Sequence, residues 1–416
     1  MDILKIATAG SVDDGKSTLI GRLLYETNSI TKDKIEALET ASQRRGLDFL
    51  DLSLLTDGLI AEREQGITID VANIYFSTPT RKYIIADTPG HIEYTRNMIT
   101  GASNASVSVI LIDARQGVVE QTKRHFYIAS MLRIKNVVVC VNKMDLVNYN
   151  QNRFEEIKNE FLEIASKIKF EGQAIEFIPI SSLYGENISK KSTEITWYEG
   201  GSLLDCIEQI DPKSEILNQK SVFPVQLVIR PKSEEYHDYR GYAGKIASGK
   251  FTVGDAVTIL PTGRTTQITS IEKFESKLDF AQKDESVVIT LKDDVDVSRG
   301  NMIVKTGQEP QIRKEVSAQI CWLDATPLTA GKTYLLQHGI NRVRAKVQSL
   351  DSALDIVSLD VLSEISELNL NGIGWAKIKL AAPIFADEYA QNPANGAFIL
   401  IDEFSNGTVG VGFVVS

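Results

Sequence analysis

The stretch GSVDDGKS, residues 10–17, constrains the fold more than any other part of this chain. Gly10, Gly15, Lys16 and Ser17 occupy the four defining places of a GxxxxGK[ST] loop, a spacing that carries meaning only between a buried strand and a helix. Both are expected here. ILKIATA (Ile3 to Ala9) reads as an apolar strand, and Leu19, Ile20, Leu23 and Leu24 fall at helical spacing after Lys16. A loop of this kind holds phosphate through backbone N–H groups and the N-terminal end of the following helix, with Lys16 as a point charge. Residues Gly10, Ser11, Val12, Asp13, Asp14, Gly15, Lys16, Ser17 and Thr18 are therefore expected around a phosphate, and the Ser17 hydroxyl on Mg²⁺. The puzzle is the pair of carboxylates, Asp13 and Asp14, in the middle of an anion-binding loop.

Through about residue 212 apolar strands alternate with helical stretches, the pattern of a mostly parallel sheet with helices on both faces. The strands expected are Ile3 to Ala9, Val71 to Phe76, Lys82 to Ala86, Val107 to Ile112, Asn136 to Val141 and Ile175 to Ile178. Helices are expected over Tyr94 to Ala102, Val119 to Leu132, Arg153 to Ile168 and Ser202 to Ile210. Thr27 to Gln65 is polar and helix-prone, an insertion leading into a mobile loop. Beyond Pro212 the helical period fades and turns recur (SGKFTVGD, PTGRTT, LKDD, SRGN), which predicts all-β structure. With a second break near residue 313, the chain reads as an α/β domain over 1–212 and two β-barrels over 221–312 and 313–416.

Further loops follow further predicted strands. Asp87, Thr88, Pro89, Gly90 and His91 come after YIIA, so Asp87 stands at a strand's carboxyl end, where it can hold the metal through water while the Gly90 N–H meets the terminal phosphate. His91 is expected to orient the attacking water, and Thr68, in REQGITID, to offer a hydroxyl to Mg²⁺ and an N–H to the γ-phosphate. His91, Lys16 and Thr68 are thus the catalytic candidates, and Ser17, Thr68 and Asp87 the metal ligands. VNKMDL supplies Asn142, Lys143, Met144 and Asp145: a carboxylate at Asp145 suits the ring N–H and exocyclic amine of guanine, whereas adenine would leave it unpaired. Lys143 can lie over the ring and Asn142 can brace the loops, while Ser181, Ser182 and Leu183 can bring backbone N–H groups to the guanine oxygen. Four such loops in order at strand ends point to guanine nucleotide, GTP or GDP.

The 416 residues carry a net charge of −10, which gives no basic footprint for nucleic acid. No apolar run is long enough to span a bilayer, and MDILKIATAG enters the first strand directly, so a cytoplasmic location is expected. Cys140, Cys206 and Cys321 show no disulfide or zinc spacing, and buried packing is expected for each.

GITID, DTPGH, YTRNMITGAS and NKMD, followed by β-barrels, resemble GTPases of the translation elongation factor type. Within that group two branches compete: factors that deliver aminoacyl-tRNA, and the large GTP-binding subunit of bacterial sulfate adenylyltransferase (ATP sulfurylase). DDGKSTLIGRLLYE, TDGLIAEREQGITIDVANIYFST, LIDARQGVVEQTKRH and YRGYAGKIASGKFTVGDAVTILPTG are similar to the second. Ile92, where a glutamate is common, and NPANG, where a basic residue is usual, depart from it. The resemblance implies GTP hydrolysis on this chain and a heterodimer with a small catalytic ATP sulfurylase subunit that makes adenosine 5′-phosphosulfate and pyrophosphate from ATP and sulfate. It also places Asp13 among residues shared with the elongation factors, where a carboxylate could hold a monovalent cation or brace the first switch. Asp14 marks the sulfate-activating branch or is a solvated residue without consequence.

Overall fold

The structure is a computed structural model that describes residues 2–44, 46, 50–55, 71–88, 95–211, 219–231, 239–274 and 276–416. The chain divides into two compact units, Met1–Pro212 with Ile356–Leu359, and Lys213–Asp355 with Asp360–Ser416.

In the first unit six strands run in the order β2-β3-β1-β4-β5-β6. They are β1 (Ile3–Ala9), β2 (Ala72–Ser77), β3 (Lys82–Asp87), β4 (Val107–Asp113), β5 (Asn136–Asn142) and β6 (Ala174–Pro179). All pairings are parallel except the β2–β3 hairpin. Every residue of β4 is buried, which is why its centre reads as the continuous apolar run Val109 to Ile112 rather than as an alternating one. The helices are α1 (Lys16–Glu26), α2 (Lys32–Arg44), α3 (Thr95–Ala102), α4 (Glu120–Met131), α5 (Gln151–Ile168) and α6 (Leu203–Gln209). Leu19, Ile20 and Leu23 of α1 pack with Leu203 and Ile207 of α6 against Leu4, Ile6, Val109 and Leu111 of the sheet. Gly21 lies mid-helix because a Cβ there would stand 2.2 Å from the Leu52 carbonyl oxygen, at a single turn of 3-10 helix (Leu52–Leu55). The Thr27 to Gln65 insertion therefore contains α2 and that turn, and its remainder from 56 lies outside the described residues.

Among the described residues, the second unit is antiparallel β apart from a four-residue turn of helix. Its first strands are β7 (Val222–Pro224), β8 (Leu227–Ile229), β9 (Gly241–Lys245), β10 (Lys250–Thr252), β11 (Ala256–Leu260), β12 (Arg264–Lys273), β13 (Ser276–Leu278), β14 (Phe280–Gln282), β15 (Ser286–Leu291) and β16 (Met302–Lys305). The first sheet runs β7-β16-β11-β12-β15-β9-β8, with β13 paired to β12, and β10 pairs with β14. The terminal strands of that path, β7 (Val222–Pro224) and β8 (Leu227–Ile229), are halves of one bent segment, so the barrel expected there is a half-barrel joined through its own chain. The later strands are β17 (Gln311–Trp322), β18 (Leu328–Thr329), β19 (Thr333–His338), β20 (Asn341–Leu354), β21 (Val361–Ser363), β22 (Glu367–Leu368), β23 (Ile373–Ala386), β24 (Ala397–Ile401) and β25 (Thr408–Val414). The second sheet runs β19-β24-β25-β17-β23-β20-β21, and an added β19–β20 pairing closes six of its strands into a barrel. Strand β16 ends at Lys305 and β17 begins at Gln311, so the break expected near 313 falls inside β17, and Pro310 ends the connection. Among the described residues no helix is long and apolar enough to cross a membrane, and no disulfide joins the three cysteines, two of which are buried and one half-buried.

Candidate nucleotide-binding site

Parallel register brings the loops together. Thr8 pairs with Asp87, Ala9 with Ile110, Asp113 with Asn142 and Val141 with Pro179, so the carboxyl ends of β3, β1, β4, β5 and β6 form one edge. An open α/β sheet binds ligands along such an edge.

The loop between β1 and α1 is built for an anion. Gly15 has φ +92°, and a Cβ there would lie 2.5 Å from the Asn142 amide nitrogen, so both backbone conformation and space demand glycine. The first turn of α1 holds Lys16 and no acid, the reverse of the charge that a helix N-terminus favours on its own. Lys16 is buried, and its ammonium donates to the carbonyls of Gly10 (3.0 Å) and Ser11 (3.4 Å) but, among the described residues, forms no ion pair. Burial pulls its pKa below the usual lysine range despite Asp87, Asp14 and Asp13 nearby. A desolvated cation without a counter-ion favours an anionic ligand.

Asp13 and Asp14 part company. Asp13 is exposed, with φ +69°. Asp14 is only 3% exposed, and its carboxylate accepts the Ser11 N–H at 2.5 Å. The solvated alternative for Asp14 is therefore overturned: the side chain folds back inside the loop and ties its start to its middle. Burial raises the Asp14 pKa to about 6, with Asp113 adding to the rise and Ser11, Lys16 and Lys143 opposing it.

Asp87 is buried, and its Oδ1 accepts from the Thr8 hydroxyl at 3.3 Å, while the buried Thr88 hydroxyl donates to the Thr8 carbonyl at 2.5 Å. Ser17, Thr18, Val12 and Ser11 are half-buried around the loop. Thr68, Pro89, Gly90 and His91 lie outside the described residues.

At the base end, Asn142 donates from Nδ2 to the Asp14 carbonyl (2.7 Å) and accepts at Oδ1 from the Ser182 N–H and hydroxyl (3.0 Å each). It thus joins the first loop to the last. Asp145 accepts the Ser181 hydroxyl on Oδ1 at 2.6 Å, and among the described residues its other oxygen accepts nothing. Met144 is fully buried beneath them. The expectation that the amides of Ser181, Ser182 and Leu183 all face the guanine oxygen is narrowed. The Ser181 N–H goes to the Glu186 carbonyl and that of Ser182 to Asn142, because this segment forms its own tight turn. The Leu183 N–H has no such partner among the described residues.

Sequence reasoning missed three supporting residues. Arg22 of α1 donates to the carbonyls of Ser182 (3.2 Å) and Leu183, holding the last loop from below. Asp113, at the end of β4, pairs with Arg115 at 2.6 Å and Lys143 at 3.0 Å. His125 of α4 is buried, with its Nδ1 unpartnered, and burial pushes its pKa down to about 3, Lys16 and Arg124 adding to the fall. Asp113 offered a signal, an acid directly after an apolar strand; Arg22 and His125 offered none.

Comparison with known proteins accords with this geometry. The family model described as elongation factor Tu GTP binding domain matches residues 1–213, and that described as GTP-eEF1A C-terminal domain-like matches 315–415. The chain is 44% identical over 415 residues to sulfate adenylyltransferase subunit 1 of Aeromonas salmonicida, covering 99% of this chain and 87% of that one. For the protein of the same name from Aeromonas hydrophila the identity is 45% over 415 residues, covering 99% and 86%. It is also 47% identical over 414 residues to the bifunctional enzyme CysN/CysC of Mycobacterium tuberculosis, covering 99% of this chain and 67% of that one. With its phosphate loop, its guanine-type Asn-Lys-x-Asp loop and similarity that runs from end to end, the chain belongs to the sulfate adenylyltransferase subunit 1 family, and its N-terminal half is a GTP-binding domain of the elongation factor Tu type.

Proposed function

We propose that this chain hydrolyses GTP and that the hydrolysis drives sulfate activation on a partner subunit. The observation that carries this is 44–45% identity over nearly the full length to proteins named sulfate adenylyltransferase subunit 1, on a chain whose strand-end loops lie along one edge of the sheet. The name implies a second subunit, which we take to be the small ATP sulfurylase chain.

The residues divide the work along the nucleotide. Asp145 takes the guanine N–H groups on its open oxygen, Lys143 covers the ring, and Asn142 keeps the base loop in register with the phosphate loop. Lys16 and the amides at the start of α1 neutralise the β- and γ-phosphates. For Mg²⁺ the donors fit, since the Ser17 hydroxyl and the buried Asp87 carboxylate are hard oxygen ligands, with Thr68 proposed as a third. When bound, the ion neutralises charge on the β- and γ-oxygens. Asp13 suits a monovalent cation only through its exposed carboxylate, because its carbonyl already takes the Lys143 ammonium.

In the hydrolysis, a water positioned by His91 attacks the γ-phosphorus. The new bond is P–O from water, the bond to the β-phosphate oxygen breaks, and the water's proton leaves with inorganic phosphate or to solvent. On the partner, a sulfate oxygen displaces pyrophosphate from the α-phosphorus of ATP to give adenosine 5′-phosphosulfate. That anhydride forms uphill, so GTP hydrolysis can pull it only if the two cycles are coupled by conformation. Loops ordered by γ-phosphate and Mg²⁺ are elements able to do so. Sulfate-dependent pyrophosphate release by the mixed subunits should rise on adding GTP and fall back with His91→Ala. Equal rates with and without GTP would remove the coupling.

A further inference from the structure

We propose that Asp113 is the positioning residue of the nucleotide site, setting through Lys143 the gap between the base loop and the phosphate loop. This rests on reading the site as one for guanine nucleotide. Strand β4 lies between β1, which ends in the phosphate loop, and β5, which ends in the base loop. To join those loops, the Lys143 side chain has to reach across the end of β4, and Asp113 stands at that end, 1% exposed. Lys143 itself sits at φ +61°, and its ammonium meets the Asp113 carboxylate at 3.0 Å and the Asp13 carbonyl.

The carboxylate is fixed before the lysine arrives. It accepts three donors from Arg115: the backbone N–H at 2.9 Å, Nε at 3.1 Å and Nη2 at 2.6 Å. Arg153 of α5 in turn holds the carbonyls of Ala114 (2.8 Å) and Arg115 (3.4 Å), so the turn carrying these donors is braced from a separate helix. Burial pushes the Asp113 carboxyl up, but the hydrogen bonds from Arg115 and Lys143 outweigh it and bring the pKa down to about 2. The carboxylate is therefore ionised at neutral pH, and the long, half-buried Lys143 is paired with an anion already held by three Arg115 donors. Touching neither phosphate nor base, Asp113 acts on the ligand only by placing Lys143.

The test is a double-mutant cycle with the full-length chain, titrated with methylanthraniloyl-labelled GDP. Asp113→Ala is expected to weaken binding by about 10- to 30-fold, the scale of a charge-assisted hydrogen bond, and Asp113→Asn, which keeps an acceptor, by less. In a Lys143→Met background the same Asp113→Ala change should add no more than about twofold, since the residue acts through that lysine. An equal loss in both backgrounds, or no loss in either, overturns the proposal. If thermal melting shows that Asp113→Ala does not fold, Arg115→Ala replaces it: a loss of about threefold that vanishes with Lys143→Met supports the proposal, and a loss that persists overturns it. A wild-type chain that takes up no labelled GDP would instead refute the guanine-nucleotide reading itself.

Discussion

Two regions place lysines beside buried carboxylates, and they treat them differently. Inside the β unit, Asp387 is 2% exposed and paired: Lys220 donates at 2.8 Å, and the side-chain amides of Asn392 and Asn395 donate at 3.1 and 3.0 Å. Asn392 reaches on to the Ser248 hydroxyl at 3.1 Å, so the cluster stitches the segments flanking the first sheet to those flanking the second. At the strand-end edge of the α/β unit, Lys16 has two carbonyls and no ion pair among the described residues, and Asp14 is buried with a single amide. A buried carboxylate paired with a lysine and two amides holds a fold together, whereas buried charges with spare capacity, as at Lys16 and Asp14, mark a place where something else is meant to bind.

That contrast can be broken by substitution. The largest effect is expected from Lys16→Met, which should weaken GTP and GDP binding at least 100-fold while leaving the ligand-free melting temperature unchanged or raised, because an uncompensated buried charge is gone. Calorimetric titration and melting measure the two halves, and a clear loss of ligand-free stability would show that Lys16 is part of the scaffold.

Asp14 comes next, through pH. Its folded pKa of about 6 lies above the ordinary carboxylate value of 3.8, so the folded chain binds this proton more tightly than the unfolded one. The stability Asp14 contributes is thus present at acid pH and lost as pH rises through the window from about 4 to 6, by about 3 kcal/mol in all. Asp14→Asn keeps an acceptor for the Ser11 N–H and carries no charge. It should melt like wild type near pH 4 and higher than wild type at pH 8, and parallel curves would place the Asp14 charge in solvent.

In the β unit, Asp387→Ala should cost about 2–3 kcal/mol of stability, moderated because Lys220 is partly exposed, with GTP affinity unchanged. The smallest effect is expected from Ser248→Ala, about 1 kcal/mol for one neutral hydrogen-bonding group, read from the denaturant midpoint. A change in nucleotide affinity from either would erase the distinction between the two regions.

How much of this was legible in advance depended on sequence distance. Gly15, Lys16, Asp87, Asn142 and Asp145 could be found because each lies in or directly after an apolar run whose strand character is local, and parallel register then collects the strand ends. Asp113 also follows such a run, in LIDARQG, but its importance comes from Lys143, a partner 30 positions along the chain that only the sheet brings near. Arg22 looked like the polar face of a helix, and its partner loop lies 160 residues away. Asp14 stood between two alternatives for a different reason: a short polar side chain in a loop is normally solvated, and only the closeness of Asn142 and of the neighbouring strand ends shuts water out.

The amino-acid order alone determined the α/β unit followed by β structure, the loop chemistry and the nucleotide class, because strand period, helix period and loop motifs are written within a few residues. Tertiary structure alone decided which of two adjacent aspartates is buried, which amides of the last loop remain open, and that Asp113 stands beneath Lys143. Burial and pairing depend on groups tens to hundreds of positions apart, and a local pattern carries no record of them.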